Sequence, residues 1–409
     1  MSVQYVVILA LIVSSARAWG QDWTQFRGPD GQGHSTVKRL PLSWSDDSKN
    51  IAWKVAIDGL GWSSPTIKGG RVWLTSATDE GKSLRAICLD LKAGSTVHEV
   101  EVFKRDSALN IHKKNSHASP TPFIEGNRVY VHFGTYGTAC LTTDGKVLWR
   151  REIKYSHVHG PGGSPVIHHD LLLFSCDGGD AQFVVALDKE TGDIRWQTER
   201  PDNPDGKKFA FCTPLIIEAN GKTQAISPGA GSVVSYDPAT GKEIWHVNYP
   251  QGYSVVPRPI YSNGLIFLST GYERPRLLAI RPDGIGDATE THVEWSFERG
   301  APHNPSPLAV GDEIYLVSDG GVATCLDAKT GEQHWQKRLG GSFSASPLFA
   351  AGRIYFLDEA GTTVVIQPGK EYKELQRNQI KGQTLASLVP TEGAMLLRTG
   401  THLFRIDAD

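Results

Sequence analysis

Eight positions at a recurrent spacing in the chain carry short hydroxyl side chains, with one exception. Each precedes a proline or, in one case, a leucine at the start of a repeated segment: Ser64, Thr121, Ser164, Thr213, Arg258, Ser306, Ser346 and Ser387. Arg258 replaces the hydroxyl in the fifth copy. A guanidinium held at a channel wall would bind a carboxylate or a phosphate through two parallel hydrogen bonds. Arg258 is therefore a candidate ligand-binding residue, with channel filling and pairing to a nearby acid as the alternative.

Histidines cluster in the segments that lead into several of these positions. They are His117, His157, His159 and His303. Imidazole can bind a metal or transfer a proton near neutral pH. His303 belongs to a distant copy, so a shared metal would have to come from the first three. Hydrogen bonding within the loops is the alternative, and we expect no metal.

Two aromatic residues, Trp62 and Phe343, enter the same region and could stack on a flat ligand or cover the ends of the repeats. The sequence contains no G-x-S-x-G, H-E-x-x-H or P-loop motif, so no residue pattern specifies a reaction. We accordingly predict no catalytic residues.

The elements that position these residues are short strands in repeated groups of four. In Ser306–Leu339, four strand-like stretches are separated by turns at Asp319-Gly320-Gly321 and Asp327…Gly331. Similar groups recur along the chain with a proline at the first strand and an Asp…Thr-Gly…Trp pattern before the last, as in Asp188–Trp196 and Asp237–Trp245. A four-stranded repeat of roughly 40 to 50 residues is typical of a β-propeller blade.

The two ends of the chain complete one blade between them. The last copy stops after its third strand, whereas Ile51–Ile57 has the pattern of a fourth strand and precedes any first strand. We therefore predict an all-β, eight-bladed β-propeller of four-stranded antiparallel blades over residues 51–409, closed when the N-terminal strand completes the last blade.

Composition narrows the class of partner. The formal net charge of −2 and the absence of a long basic run argue against nucleic acid. Tyr5–Val13 is apolar, too short to span a bilayer, and followed by an A-x-A pattern ending at Ala18. We expect residues 1–18 to be a signal peptide, no transmembrane segment, and a monomer that is periplasmic or secreted.

Two further segments have open roles. Residues 19–50 contain Trp23, Phe26 and Trp44, and we expect them to pack on the propeller as an N-terminal extension, with a tether as the alternative. Phe103–His117 is the longest connection, of the kind that is either functional or mobile. Of the five cysteines, Cys176 and Cys212 are the pair that could form a disulfide between adjacent blades.

The repeat SPLAVGDEIYLVSDGGVATCLDAKTGEQHW, with ALDKETGDIRWQTE, resembles the PQQ-like (pyrrolo-quinoline quinone) propeller repeat over nearly all of residues 53–407. The stretches DWTQFRGPDGQG, KNSHASPTP, HGPGGSP and YSVVPRP are similar to exported bacterial PQQ-like propellers related to the outer-membrane assembly propellers of BamB type. This resemblance implies a binding scaffold for a protein, a peptide or a small ligand. The chain departs from the BamB type in lacking a lipoprotein cysteine after the apolar run.

The quinoprotein alcohol dehydrogenases share this repeat, and the resemblance to them implies PQQ bound with calcium in the channel. Their cofactor sites contain two adjacent cysteines, and no two cysteines are adjacent here. We therefore expect no cofactor and favour an exported, non-catalytic binding protein. A PQQ-dependent oxidoreductase is the alternative.

Overall fold

Eight small antiparallel sheets form a ring in this computed structural model, which describes residues 21–203 and 206–408. The first four blades, each from its innermost to its outermost strand, are as follows. Blade 1 is Thr66–Lys68, Arg71–Thr78, Ser83–Asp90 and Thr96–Lys104; blade 2 is Phe123–Glu125, Arg128–His132, Thr138–Thr142 and Val147–Arg151; blade 3 is Val166–His168, Leu171–Asp177, Gln182–Asp188 and Ile194–Glu199; blade 4 is Leu215–Ala219, Lys222–Pro228, Ser232–Tyr236 and Glu243–Asn248.

The other four blades complete the ring. Blade 5 is Ile260–Ser262, Leu265–Ser269, Leu277–Ile280 and Val293–Phe297; blade 6 is Leu308–Val310, Glu313–Val317, Val322–Asp327 and Gln333–Arg338; blade 7 is Leu348–Ala350, Arg353–Leu357, Thr362–Gln367 and Lys373–Gln379; blade 8 is Val389–Thr391, Ala394–Arg398, His402–Asp407 and Ile51–Ala56. The prediction of eight four-stranded antiparallel blades is confirmed.

Two departures from regularity stand out. Blade 4 carries a fifth strand, Gly286–Asp287, which pairs in parallel with the outermost strand. Helical structure in the described residues is confined to the 3-10 turns Asp79–Gly81 and Gly134–Tyr136 and the α-helical turn Thr289–His292.

In blade 8, Ile51–Ala56 is antiparallel to His402–Asp407, so the first strand of the described chain lies beside the last.

The tryptophans of five outermost strands each bind their blade to the next, whereas Trp245 donates to Gln224 within blade 4. Trp149 donates its indole N–H to the Lys189 carbonyl in the turn of blade 3, and Trp295 donates to the Ala328 carbonyl in blade 6. The same bond joins Trp53, Trp196 and Trp335 to the following blade. Because these rings fill the gap between neighbouring sheets, most of the core lies between blades rather than within them.

The position of a strand within its blade determines how far its side chains are buried. The two middle strands of a blade are covered on both faces by neighbouring blades, and Ile314, Tyr315, Leu316 and Val317 are all buried in succession. The outermost strand alternates between partly buried and exposed residues, as in Val147–Arg151, because one of its faces meets water.

The predicted signal peptide, residues 1–18, lies outside the described residues. Residues 21–50 contact the ring closely: Trp23 and Trp44 are buried in the same cluster as residues of blades 1, 7 and 8. All five cysteines are free and buried, so Cys176 and Cys212 are not joined. In the described part of the chain, no helix is long and apolar enough to cross a membrane.

Candidate functional site

The hydroxyl positions form a belt of hydrogen bonds around the inside of the ring. At seven of the eight positions the backbone N–H donates to the hydroxyl of the next blade, as from Ser64 to Thr121 at 3.0 Å and from Thr121 to Ser164 at 2.9 Å. The pattern continues through blades 3 and 4, then from blade 5 through blade 8, and returns from Ser387 to Ser64 at 3.0 Å. These side chains therefore hold the innermost strands together. The Ser346 hydroxyl also donates its proton to the Ser306 hydroxyl at 3.0 Å, whereas the other six hydroxyls accept without donating to another described residue.

Arg258 interrupts this belt, because it offers no hydroxyl to blade 4. Its Nε instead donates to the Pro214 carbonyl of blade 4 at 3.1 Å, and Nη1 donates to the Phe26 carbonyl at 2.7 Å. Both terminal nitrogens also lie 3.3 Å from Oε1 of Gln25. Burial lowers the pKa of Arg258 to about 10. The structure thus places this arginine against the N-terminal segment.

That segment, Trp23–Ser35, is called the plug below because it crosses one end of the channel. Trp23 exchanges two backbone hydrogen bonds with Ile67 of blade 1. On the far side, Phe349 of blade 7 donates to the Gly33 carbonyl and accepts from Ser35. Arg27 Nη1 donates to the Pro307 carbonyl of blade 6 at 2.8 Å. The plug closes the channel at the end where the innermost strands finish.

The opposite end is an open funnel with a cavity of about 750 Å³. Its lining includes all seven belt hydroxyls, and Phe26 of the plug also lines it. The size lies within the range of small-molecule pockets, and the site combines apolar walls with convergent polar groups, as such pockets do.

A continuous series of rings lines one side of the funnel, and we call it the aromatic arc. Each ring centroid lies between 5.1 and 6.0 Å from that of a neighbour. Six members come from the connections between successive blades from 1 to 6, and Tyr272 comes from the loop between the second and third strands of blade 5. The members are His112, His159, Phe209, Phe211, Tyr253, Tyr272 and His303. Tyr272 at its edge is 50% exposed, so the arc extends to the rim.

The middle of the arc is joined by its backbone to a buried ion pair, because the N–H of Ala210, between Phe209 and Phe211, donates to the carbonyl of Asp177. Arg200, which follows the last strand of blade 3, contacts both carboxylate oxygens of Asp177, with Nη2 at 2.8 Å from Oδ2. Its Nη1 donates to the Ser227 carbonyl of blade 4. Beyond it, Phe211 donates its N–H to the Val255 carbonyl, which sets Phe209 and Phe211 beside Tyr253.

Two of the four predicted histidines line the funnel. His159 lies edge-to-face against Phe209. His303 lies against Tyr272, and its backbone N–H donates to Oδ2 of Asp319 at 2.6 Å. His117 contacts the Leu109 carbonyl through Nε2 and lies outside the lining. His157 is buried against Tyr136 and also lies outside it; burial, with the proximity of His117, lowers the pKa of His157 to about 4.

The two predicted aromatics have different positions. Trp62 lines the funnel, and its Nε1 has no hydrogen-bond partner in the described structure. Phe343 is 1% exposed and packs in the core between blades 6 and 7 with Tyr315 and Phe356. The ligand-stacking candidate of the two is therefore Trp62.

The lysines at the funnel are paired. Lys114, from the long connection between blades 1 and 2, lies 2.6 Å from Glu359 of blade 7 and so bridges part of the mouth. Lys207 lies 2.6 Å from Glu273 and 3.0 Å from the Tyr253 hydroxyl. Asp319 accepts from Asn304 Nδ2 and from the backbone of His303.

The donor set does not fit PQQ bound with calcium. Calcium takes six to eight oxygen ligands and commonly several carboxylates, whereas the funnel lining contains one carboxylate, Asp319. In residues 21–203 and 206–408, no three His, Cys, Asp or Glu residues are grouped so as to hold a metal ion.

Sequence reasoning did not find Phe209, Phe211, Tyr253, Tyr272, Asp319 or the lysines. The aromatic density of FAF and of YSVVPRPIY was a signal available in the sequence. These residues sit in connections of unequal length, so no repeat register aligned them.

A family model and two curated proteins show which known proteins this chain resembles. A family model described as "Outer membrane protein assembly factor BamB" matches residues 16–177, 88–307 and 287–370. The outer membrane protein assembly factor BamB of Burkholderia pseudomallei (strain K96243) is 29% identical over 109 residues, 25% of this chain and 27% of that protein. The polyvinylalcohol dehydrogenase of Sphingopyxis sp. (strain 113P3) is 24% identical over 133 residues, 29% of this chain and 20% of that protein. The chain thus matches about a quarter of the length of these curated relatives.

Solved structures agree on the fold. BamB from Moraxella catarrhalis superposes with a TM-score of 0.62 at 14% identity, covering 87% of this chain and 98% of that one. A europium-containing methanol dehydrogenase superposes with a TM-score of 0.56 at 11% identity, covering 94% and 90%. The resemblance to PQQ-like propellers is confirmed. Because the family model matches most of the chain between residues 16 and 370, the protein belongs to the PQQ-like β-propeller family described as outer membrane protein assembly factor BamB.

Proposed function

We propose that this protein is an exported, non-catalytic binding protein that holds its ligand in the funnel. The observation that carries the proposal is the asymmetry of the channel. The plug closes one end with buried backbone pairs, while the other end opens as an aromatic-lined cavity of about 750 Å³. Concave sites of this kind, with a few convergent polar groups, are the usual seats of ligands.

The polar groups of the funnel support binding rather than nucleophilic catalysis. An activated serine or threonine needs a base within hydrogen-bond reach. In the described part of the chain, the belt hydroxyls accept backbone N–H groups, and none is hydrogen-bonded to a histidine or a carboxylate. The description of the family as an assembly factor is also a binding role. Export as a periplasmic or secreted protein is part of the same proposal.

The test is capture of ligands by the immobilised protein from the periplasmic or secreted fraction. Proteins and small molecules retained by the wild type are identified by mass spectrometry and compared with those retained by a Trp62→Ala/Tyr272→Ala variant. We expect the variant to lose specific species. Ile285→Ala, which truncates an 83% exposed side chain at the edge of blade 4, is the matched control and should retain them. An identical set on wild type and double variant would contradict the proposal.

The relative named polyvinylalcohol dehydrogenase keeps a quinoprotein oxidoreductase as the second candidate. A single lining carboxylate argues against it. Incubation with PQQ and Ca²⁺ discriminates: our proposal expects no change in melting temperature and no dye reduction with alcohols or sugars. A saturable thermal shift together with alcohol-dependent dye reduction would establish the second candidate instead.

A further inference from the structure

Two residues that line the funnel each carry a buried ring nitrogen without a hydrogen-bond partner. Trp62 is 8% exposed, yet its Nε1 has no partner among the described residues, and the same holds for Nε2 of His303. A buried polar atom without a partner costs free energy, and such atoms are rare in native structures unless a ligand or water satisfies them. Both residues line the cavity, so a bound molecule could reach these nitrogens once the rings turn toward it.

These two atoms differ in what they can bind. The indole N–H of Trp62 can only donate. Nδ1 of His303 lies 3.7 Å from Asp319 Oδ2, beyond hydrogen-bond distance, so Nε2 of His303 can donate or accept according to the tautomer. A hydroxyl group, which both accepts and donates, can satisfy either atom, so a hydroxyl-rich molecule is a suitable ligand.

Charge in the funnel favours a neutral ligand. Lys114 and Lys207 are each paired with a glutamate at 2.6 Å. Arg258, the cation that the sequence placed at the channel wall, is turned to the plug and bonded to Phe26 and Gln25. An anionic ligand would have to break these contacts before it gained a cation of its own.

The rest of the funnel lining offers two kinds of surface, one aromatic and one rich in hydroxyls. The aromatic arc offers flat apolar faces, and the floor offers seven hydroxyls. Ser346 donates its proton to the Ser306 hydroxyl, and the other six protons have no acceptor among the described residues. A pyranose ring has the complementary arrangement, with a C–H face that packs on an aromatic ring and hydroxyls around its edge. An extended peptide instead presents backbone groups that suit a free strand edge.

We propose that the funnel binds the end of a neutral saccharide, packed on the aromatic arc with its hydroxyls at the belt, Trp62 and His303. This inference rests on the proposed binding function and gives that function a ligand class. Tyr272 at the rim contacts the part of the saccharide that leaves the cavity, whereas Trp62 contacts the part that is enclosed.

The experiment uses the full chain on an array of neutral and uronic-acid-containing oligosaccharides, followed by calorimetry with the strongest neutral binder. We expect neutral glycans to bind and acidic ones to be weaker. Tyr272→Ala should weaken binding at least tenfold through lost ring contact. Trp62→Phe, which keeps a ring but removes the N–H, should weaken it about tenfold, the worth of one hydrogen bond. Ile285→Ala should bind as the wild type does, and thermal melts verify that each variant is folded.

The proposal is overturned if no neutral glycan binds above background, or if both variants bind the selected glycan as tightly as the wild type. A peptide array probed in parallel distinguishes failure of the saccharide proposal from failure of the proposed binding function. Peptides that bind the wild type but not Tyr272→Ala would remove the saccharide while leaving the funnel as a binding site. Binding of any ligand class that neither funnel variant affects would remove both.

Discussion

At the scale of single residues, one departure from a repeated position changes the role of that position. Seven blades use a serine or threonine hydroxyl to accept the N–H of the preceding blade. Arg258 cannot accept, but its Nε donates to the Pro214 carbonyl across the same boundary. The longer side chain also reaches the Phe26 carbonyl, so Arg258 joins blades 4 and 5 and anchors the plug.

Buried histidines should make the fold sensitive to mild acid. Burial, with the proximity of His117, lowers the pKa of His157 from 6.5 to about 4, and burial lowers the pKa of His132 to about 3. Below pH 6.5 the unfolded chain takes up protons that the folded chain refuses until near pH 4, so stability falls as pH falls through this window. We expect the urea midpoint to drop between pH 7 and pH 5.

His157→Leu removes one of the two groups and should reduce that drop, whatever it does to stability at pH 7. The measurement is urea unfolding of wild type and variant at both pH values. Equal losses of stability in the two proteins would show that His157 is not protonated on unfolding in this range.

At the scale of elements, the turn of one blade is shaped to receive the tryptophan of another. Asp327 accepts the backbone N–H groups of Lys329 and Thr330 and thereby fixes the turn. Gly331 follows with φ of +73°, and Trp295 of blade 5 lies over it. The recurrent Asp, Thr-Gly and Trp are therefore parts of one contact between blades, which also joins Gly192 to Trp149 and Gly241 to Trp196.

Gly331→Ala tests this contact because a Cβ there would lie 2.7 Å from Cδ2 of Trp295. Gly352→Ala is the matched control, since Gly352 has a similar φ of +71° but nothing within 4 Å of the added atom. The control should cost about 1 kcal/mol from backbone strain alone. Gly331→Ala should cost about 2 to 4 kcal/mol because the ring must also move. Equal losses in chemical denaturation would mean that the tryptophan does not pack as tightly as described.

The regular elements were predictable because each depends on local chemistry that the repeat displays. Proline at the innermost strand, glycine in the turn and tryptophan in the outermost strand recur in fixed register and define the blades. The direction of Arg258 was not predictable, since it depends on the plug, which is more than 200 residues away in sequence. The burial of Phe343 between blades 6 and 7 was not predictable either, because the position of a connection in the repeat does not determine the direction of its side chains.

At the scale of the whole molecule, the N-terminal region contributes twice to one ring. The plug ties blades 1, 6 and 7 together across the channel, while Ile51–Ala56 covers the edge of His402–Asp407. Trp53 on that strand donates to the Leu91 carbonyl of blade 1, so the same strand also joins blade 8 to blade 1. The site depends on this arrangement, because the plug supplies Phe26 to the floor of the funnel.

Two truncations separate these contributions. A chain that begins at Ile51 lacks the plug but keeps the strand, and should remain soluble with a lower melting temperature because the burial of Trp23 and Trp44 is lost. A chain that begins at Asp58 also leaves His402–Asp407 as an open sheet edge, which is a template for foreign strands, and should aggregate. Size-exclusion chromatography with light scattering measures the difference. If the Asp58 chain elutes and scatters as the Ile51 chain does, then the strand pairing in blade 8 is not what keeps the ring closed.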